Sequence, residues 1–159
     1  MQSIQPECLE ITVLGRTRYV SIIRVITFTI AKIRGFSEDK ANDFVMAVGE
    51  ACVNSIRHGY ESKIGEIVLR YLVYPDRLCI VVKDMGKGFD PKFARQYMKR
   101  RDAERPERMG MGLTLIAKVM DEVEYDSKPF SGTLVRMTKY RADRQTDGDQ
   151  KGTRLDDPT

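Results

Sequence analysis

The feature that most constrains the fold is a change in hydrophobic period near the middle of the chain. Over residues 17–33, and again from Ser37 to about Gly59, apolar residues recur about every 3.6 residues, as on one face of a helix. From Glu66 onward apolar and polar residues alternate, as they do along half-buried strands. The sequence therefore predicts two amphipathic helices in the first half and paired strands after them.

The remaining segments complete a single sheet. The predicted strands are 9–14, 66–74, 78–83, 123–125 and 133–140, and a third helix is expected over 110–120. Pro75-Asp76-Arg77 has the composition of a tight turn, so two of the strands form a hairpin. Short connections of this kind favour a mostly antiparallel sheet covered on one face by helices, which is an α/β two-layer sandwich.

The length of 159 residues is enough for one hydrophobic core. We expect a single domain over residues 1–140. The tail over 141–159 holds one leucine and no aromatic residue, so we expect it to be disordered. The net charge of +4 suits an anionic ligand or an acidic protein partner, but it is too small to indicate direct nucleic acid binding.

The cysteines and the hydropathy pattern indicate a reducing compartment. Cys52 and Cys79 lie inside apolar periodic segments and, with Cys8, they form an odd set that cannot pair completely. The N-terminus lacks a basic-then-apolar leader pattern, and no run of about 18 apolar residues is present. We therefore expect a cytoplasmic protein that does not enter the membrane.

Glu50 and Asn54 lie four residues apart on the polar side of the second predicted helix. At about 100° per residue their side chains are close neighbours, opposite the apolar face. An ordinary solvated face would explain such a stripe. Two glycine clusters downstream suggest a ligand instead, because glycines allow close backbone approach and the second cluster, at Gly110-Met111-Gly112, opens a helix whose free N–H groups suit phosphate.

The three motifs in order resemble the GHKL ATPase family of gyrase, the heat-shock chaperone, histidine kinases and mismatch-repair ATPases. They are Glu50-x-x-x-Asn54, Asp84-x-Gly86-x-Gly88-Phe89 and Gly110-x-Gly112-Leu113. Within that family the chain is most similar to the bacterial anti-sigma factor serine kinases, over about residues 9–140. The similarity implies the GHKL (Bergerat) ATP-binding fold.

The resemblance also implies a role for each residue of the motifs. Glu50 would be the general base, and Asn54 would bind Mg²⁺ and the nucleotide. Asp84 would accept a hydrogen bond from the adenine amino group, and Gly86 and Gly88 would shape that wall of the pocket.

The third motif would hold the phosphates of ATP through the turn Gly110-Met111-Gly112-Leu113. Arg108, beside this turn, would approach the γ-phosphate as a second catalytic residue. Arg24, on the exposed side of the first helix, matches an arginine with which the family contacts its protein partners.

The function implied by this resemblance is an anti-sigma factor that is also a kinase. Such a protein sequesters an RNA polymerase sigma factor and uses Mg-ATP to phosphorylate a serine on an anti-anti-sigma antagonist of the STAS type, and the family is generally homodimeric. Two alternatives stay open. One is a switch-type serine kinase that acts on a scaffold or STAS protein without binding a sigma factor, and the other is a nucleotide-dependent binding module with little kinase activity.

Two features depart from the family pattern. Gly49 stands before the expected base, where family members usually carry a serine, and residues 91–109 are unusually basic, so we expect a mobile loop there. His58 is the only histidine, and we expect it to be a hydrogen-bonded residue at a helix end. A histidine kinase is disfavoured, because its acceptor histidine would have to lie on a separate helical hairpin.

Overall fold

The computed structural model describes residues 5–90 and 108–142 of the chain. Its elements follow the predicted order and are, with their bounds, β1 (Glu7–Leu14), α1 (Thr17–Ile33), α2 (Glu38–Asn54), a π-helical turn (Ser55–Gly59), β2 (Glu66–Val73), β3 (Arg77–Asp84), α3 (Arg108–Val119), β4 (Glu122–Ser127) and β5 (Thr133–Tyr140). The basic segment over 91–107 and the tail over 143–159, for which mobility and disorder were predicted, lie outside the described residues.

The five strands form one antiparallel sheet with the order β1-β2-β3-β5-β4. β2 and β3 are joined by the expected hairpin turn, and β3 pairs with β5 so that Asp84 is opposite Thr133. The helices pack on one face of this sheet, which confirms the predicted α/β two-layer sandwich. β3 is the middle strand of the sheet. Its last residue, Asp84, therefore lies at one end of the sheet with two strands on either side of it.

The two long helices are stabilised in different ways. Ser37 caps α2, where its hydroxyl accepts a hydrogen bond from the Lys40 N–H at 3.3 Å, and the acidic residues of the first turn favour the positive end of the helix dipole. α1 has no side-chain cap, and it depends on burial of its inner face. At the centre of that face the hydroxyls of Thr27 and Tyr71 share a hydrogen bond of 2.9 Å.

The core lies between the helices and the inner face of the sheet. Its largest fully buried side chains are Ile23, Phe44, Ile67, Leu69, Tyr71, Leu78, Ile80, Ile116 and Met137. The inward faces of α1, α2, α3 and the central strands all contribute to this set. α2 is therefore clamped onto the sheet along its length, which fixes the polar side chains on its other face.

Lys139 joins three elements at the edge of the core. Its ammonium group donates to the carbonyl of Val119 at 2.6 Å and lies 2.9 Å from the Asp43 carboxylate, and the side chain is 9% exposed. A cation at the last carbonyl of a helix also interacts favourably with the helix dipole. The C-terminus of α3 is in this way tied to both α2 and β5.

The second helix ends differently from the prediction. The regular ladder of α2 stops at Asn54, and Ser55–Gly59 form a wider π-helical turn, in which the Tyr60 N–H donates to the Ser55 carbonyl at 2.9 Å. Such turns hold one extra residue and are frequent at functional sites. The prediction of one helix to about Gly59 missed this, because apolar periodicity does not distinguish the two kinds of turn.

The cysteines and the hydropathy of the helices follow the expectations from composition. Cys52 and Cys79 are buried, Cys8 is exposed, and all three are free thiols. Over residues 5–90 and 108–142, no helix combines the length and the apolar character that crossing a membrane requires.

Candidate active site

A cavity of about 290 Å³ lies where the end of α2, the end of β3, α3 and β5 meet. Its apolar lining comes mainly from Val82, Phe89, Leu113, Ile116, Tyr125 and Val135, and its polar lining from Asn54, Ser55, His58, Asp84, Lys87 and Thr133. Ligand pockets are typically roughly 300–1,000 Å³, mostly apolar, with a few fixed polar groups. A cavity of this size with apolar walls and a few polar groups suits a flat heteroaromatic ring that carries polar substituents.

Asp84 is the buried carboxylate in the lining of the cavity. It is 3% exposed, and each of its oxygens is held by a donor. The Ser55 hydroxyl donates to Oδ2 at 2.7 Å, and the Gly86 N–H donates to Oδ1 at 2.9 Å. The carboxylate is therefore oriented before any ligand arrives.

The glycine loop after β3 packs against the π-helical turn through bare backbone. A Cβ on Gly86 would collide with the main chain of Gly59, and the Lys87 N–H donates to the Gly59 carbonyl at 2.8 Å. Gly59 in turn lies against Asp84, since a Cβ there would stand 3.0 Å from Oδ1. Gly86 is needed because its backbone approaches that of Gly59 too closely for a side chain, and a side chain at Gly59 would crowd the Asp84 carboxylate.

The same loop is tied on its other side to the β4–β5 turn. Gly88 has a φ of +63°, and a Cβ there would collide with the Lys128 carbonyl. The Ser127 hydroxyl accepts a hydrogen bond from the Phe89 N–H at 2.9 Å and donates one to the Gly132 carbonyl at 2.9 Å. The wall that carries Phe89 is therefore anchored by the β4–β5 turn.

The first turn of α3 rests on the polar stripe of α2. A Cβ added to Gly112 would lie 3.1 Å from Glu50 Oε2 and 3.3 Å from both amide atoms of Asn54. The glycine thus lets the N-terminal turn of α3 approach the carboxylate and the carboxamide. The structure brings together Glu50 and Asn54 from the first motif with Gly112 from the third, beside the cavity that Asn54 and Asp84 both line.

Some predicted site residues have no described side chain. The first turn of α3 contains Arg108, Gly110 and Met111, and the structure describes this turn only as helical backbone. The position of the Arg108 side chain is not described, so its approach to the γ-phosphate stays a prediction. Leu113, next along the same turn, is 4% exposed and lines the cavity.

Arg24 is exposed on α1, as the sequence predicts, but its guanidinium group does not project away from α2. It lies over Gly49, where an added Cβ would collide with Nε. It is also close enough to affect a neighbouring thiol: burial raises the pKa of Cys52 to about 12, and the positive charge of Arg24 opposes that rise. Gly49, the glycine that departs from the expected family pattern, therefore lies directly beneath the Arg24 side chain of the adjacent helix.

Sequence reasoning missed several residues of the site, among them Ser55, Ser127 and Tyr125. Ser55 resembles a small core residue in the helical pattern, and Ser127 ends a strand with no motif around it, so neither gives a sequence signal. Tyr125 lines the cavity edge-to-face with Phe89, with ring centroids 6.1 Å apart. Its hydroxyl is buried without a hydrogen-bond partner among the described residues, and burial raises its pKa to about 12.

The family and the relatives that the chain resembles agree with the geometry of the site. Residues 15–139 match the family described as the histidine kinase-like ATPase domain. Similar proteins named serine-protein kinase RsbW include that of Bacillus subtilis strain 168, which is 36% identical over 89% of this chain and 90% of its own length.

The proteins of the same name from two other organisms give nearly the same values. The one from Bacillus pumilus strain SAFR-032 is 35% identical over 90% of this chain and 91% of its own. The one from Halalkalibacterium halodurans is 35% identical over 93% and 94%. These names confirm the predicted resemblance to the serine kinases of the family. The chain belongs to the histidine kinase-like ATPase domain family, in the group that includes the serine-protein kinases RsbW.

Proposed function

We propose that this chain is a protein serine kinase that uses Mg-ATP, with the adenine in the cavity and the phosphates at the first turn of α3. The observation that carries the proposal is the contact of Gly112 with Glu50 and Asn54 beside the Asp84 cavity. One rigid helix, α2, carries both the proposed base and the proposed metal ligand, and it borders the proposed base-binding pocket. Kinases need this kind of placement because phosphoryl transfer depends mainly on position and charge.

The polar end of the cavity suits adenine. Asp84 is held by donors on both oxygens, and its remaining lone pairs can accept a hydrogen bond from an exocyclic amino group. A keto oxygen at that place, as in guanine, would face the carboxylate with no proton between them. Val82, Ile116 and Val135 supply apolar contact to the ring.

The mouth of the cavity suits phosphates and a hard cation. The first N–H groups of α3 have no partner within the helix and point toward its N-terminal end, where the dipole favours negative charge. Asn54 offers a carboxamide oxygen there. Magnesium usually takes one or two protein oxygens together with water and substrate phosphates. Bound at this place it would neutralise phosphate charge.

Glu50 is the proposed general base for the acceptor serine. It is partly exposed and sits one helical turn before Asn54, so a hydroxyl group arriving from solvent can reach it. The carboxylate would take the proton of the serine hydroxyl while that oxygen bonds to the γ-phosphorus of ATP. The bond from this phosphorus to the bridging oxygen would break, and ADP would leave with that oxygen. Arg108 is proposed to stabilise the charge of the γ-phosphate.

The proposed partners follow from the resemblance to the anti-sigma factor serine kinases. They are a sigma factor that the protein sequesters, a STAS-type antagonist whose serine is phosphorylated, and a second copy of the chain in a homodimer. Arg24 is the proposed partner contact, on the exposed surface of α1. A switch-type kinase without sigma binding, or a binding module with little kinase activity, are the alternatives.

Transfer of labelled γ-phosphate to a co-purified STAS antagonist tests the proposal. Glu50→Gln should lower the rate by roughly 10²–10⁴-fold, the usual contribution of a general base, with the ATP affinity little changed. Glu124→Gln is the matched control, because this glutamate is on β4 and pairs with Arg136 at 3.5 Å. Full transfer by Glu50→Gln would exclude it as the base, and co-purification of a sigma factor separates the anti-sigma kinase from the switch-type kinase.

A further inference from the structure

The hydroxyl of Ser55 donates a hydrogen bond of 2.7 Å to Oδ2 of Asp84, and both residues line the cavity. Both side chains are buried, Ser55 at 5% exposure and Asp84 at 3%. We infer that Ser55 is a positioning residue for base recognition, which acts through Asp84 on the exocyclic amino group of the nucleotide. This inference rests on the proposed function, and it adds a residue to which none of the motifs assigns a role.

The Ser55 proton has two possible acceptors, and the geometry favours Asp84. The Ala51 carbonyl is 3.2 Å from the same hydroxyl oxygen, while the carboxylate is at 2.7 Å. A hydrogen bond to an ionised oxygen is shorter and stronger than one to a neutral carbonyl. The hydroxyl therefore donates its one proton to Asp84 and not to the helix carbonyl.

Asp84 needs such a partner because rotation of a carboxylate about its last torsion is only weakly restricted. The Gly86 N–H fixes one oxygen and the Ser55 hydroxyl fixes the other, while the bare Cα of Gly59 packs beside them. With one lone pair of each oxygen engaged, the lone pairs left for a ligand have a set direction. Removing the hydroxyl would let the carboxylate turn, and the oxygen that meets the amino group would lose its alignment.

The position of Ser55 allows its effect on base recognition to be measured separately from the phosphate contacts of the site. It begins the π-helical turn directly after Asn54, yet its hydroxyl faces the base end of the cavity. The contacts of the phosphate end, where Gly112 lies on Glu50 and Asn54, do not include it. A change at Ser55 should therefore affect recognition of the base amino group and leave the phosphate contacts unchanged.

The test compares two nucleotides that differ only in that amino group. Dissociation constants of ATP and of purine riboside 5′-triphosphate, which has hydrogen in place of the amino group, are measured by calorimetry with Mg²⁺. Ser55→Ala should weaken ATP binding about five- to tenfold, the worth of one hydrogen bond, and weaken the analogue less than about twofold. Ser55→Thr, which keeps the hydroxyl, should restore the preference for ATP.

Ser127→Ala is the matched control, because Ser127 holds the backbone of the same pocket at Phe89 and makes no hydrogen bond to Asp84. It should weaken both nucleotides by a similar factor. An equal loss for both nucleotides in Ser55→Ala, or no loss for either, would overturn the inference and leave the proposed function standing. Wild-type protein that binds neither nucleotide would instead overturn the proposed function, and the inference with it.

Discussion

The guanidinium group of Arg24 on α1 occupies the space that a side chain at Gly49 on α2 would need. Gly49 is buried, and it directly precedes the proposed base in the sequence. Any side chain at this position, including the serine expected from the resemblance, would bring a Cβ into collision with the arginine as it lies here. The proposed partner contact and the proposed catalytic helix are therefore packed against each other in this protein.

A double-mutant cycle should show that coupling. Glycine inside a helix costs about 1 kcal/mol relative to alanine, so Gly49→Ala in an Arg24→Ala background should raise the free energy of unfolding by about 1 kcal/mol. With Arg24 present the gain should be smaller, because the guanidinium group must first be displaced. Urea unfolding of the four proteins measures both values. Equal gains in the two backgrounds would show that the contact does not form in solution.

Gly86→Ala should have a larger and opposite effect. Its Cβ would meet the main chain of Gly59, which cannot move aside as the end of an arginine can. Overpacking of this kind costs about 1–3 kcal/mol, and the displaced loop should also weaken nucleotide binding. Thermal unfolding and an ATP titration check both expectations. Gly49→Ala is the control, because its neighbour is the flexible end of the Arg24 side chain. A Gly86→Ala protein as stable as wild type would refute the close contact between the backbones of Gly86 and Gly59.

Asn54→Ala should remove the magnesium dependence of nucleotide binding. Wild-type protein is expected to bind ATP more tightly with Mg²⁺ than with EDTA, because the carboxamide oxygen holds the cation beside the phosphates. In the variant the two affinities should become nearly equal, with the EDTA value close to that of wild type. Calorimetry under both conditions measures this. A variant that keeps its full response to Mg²⁺ would exclude Asn54 as the metal ligand.

Stability should fall in alkaline solution. Burial raises the pKa of Cys52 from 9.0 to about 12, so above about pH 9 the unfolded chain loses this proton while the folded protein keeps it. The stabilisation is therefore complete below pH 9 and is lost as the pH rises toward 12. Urea unfolding at pH 8 and pH 10 should show the decline.

The Cys52→Ala variant should decline less steeply than wild type over the same interval. Some slope should remain, because burial also raises the pKa of Tyr71 to about 12. Cys8→Ala is the control, since this thiol is exposed and its removal should leave the slope unchanged. Identical slopes in Cys52→Ala and wild type would contradict the assignment.

The architecture could be predicted because it depends on local pattern. Periodicity and turn residues located every described strand and α-helix in order, and α1 was predicted with the bounds that the structure has. The three motifs could be found because glycines and a carboxylate at fixed spacing are rare together in this order of elements. Both signals lie in short stretches of sequence.

The features that sequence reasoning missed depend on contacts between segments that are far apart in the sequence. The hydrogen bond from Ser55 to Asp84 joins residues 29 positions apart, and that from Phe89 to Ser127 joins residues 38 apart. The packing of Arg24 on Gly49 is of the same kind. A serine or a glycine has no sequence signature for such a partner, because its role is set by what the fold places beside it.

The wide turn at Ser55–Gly59 makes the site sensitive to the count of residues as well as to their identity. A regular helix advances about 100° per residue, so deleting one residue here and restoring the α-helical ladder would rotate Gly59 by that angle. Its carbonyl would then point away from Lys87, and the loop that carries Gly86 would lose the surface it rests on. The spacing of six positions from Asn54 to Tyr60 is therefore itself a determinant of the pocket.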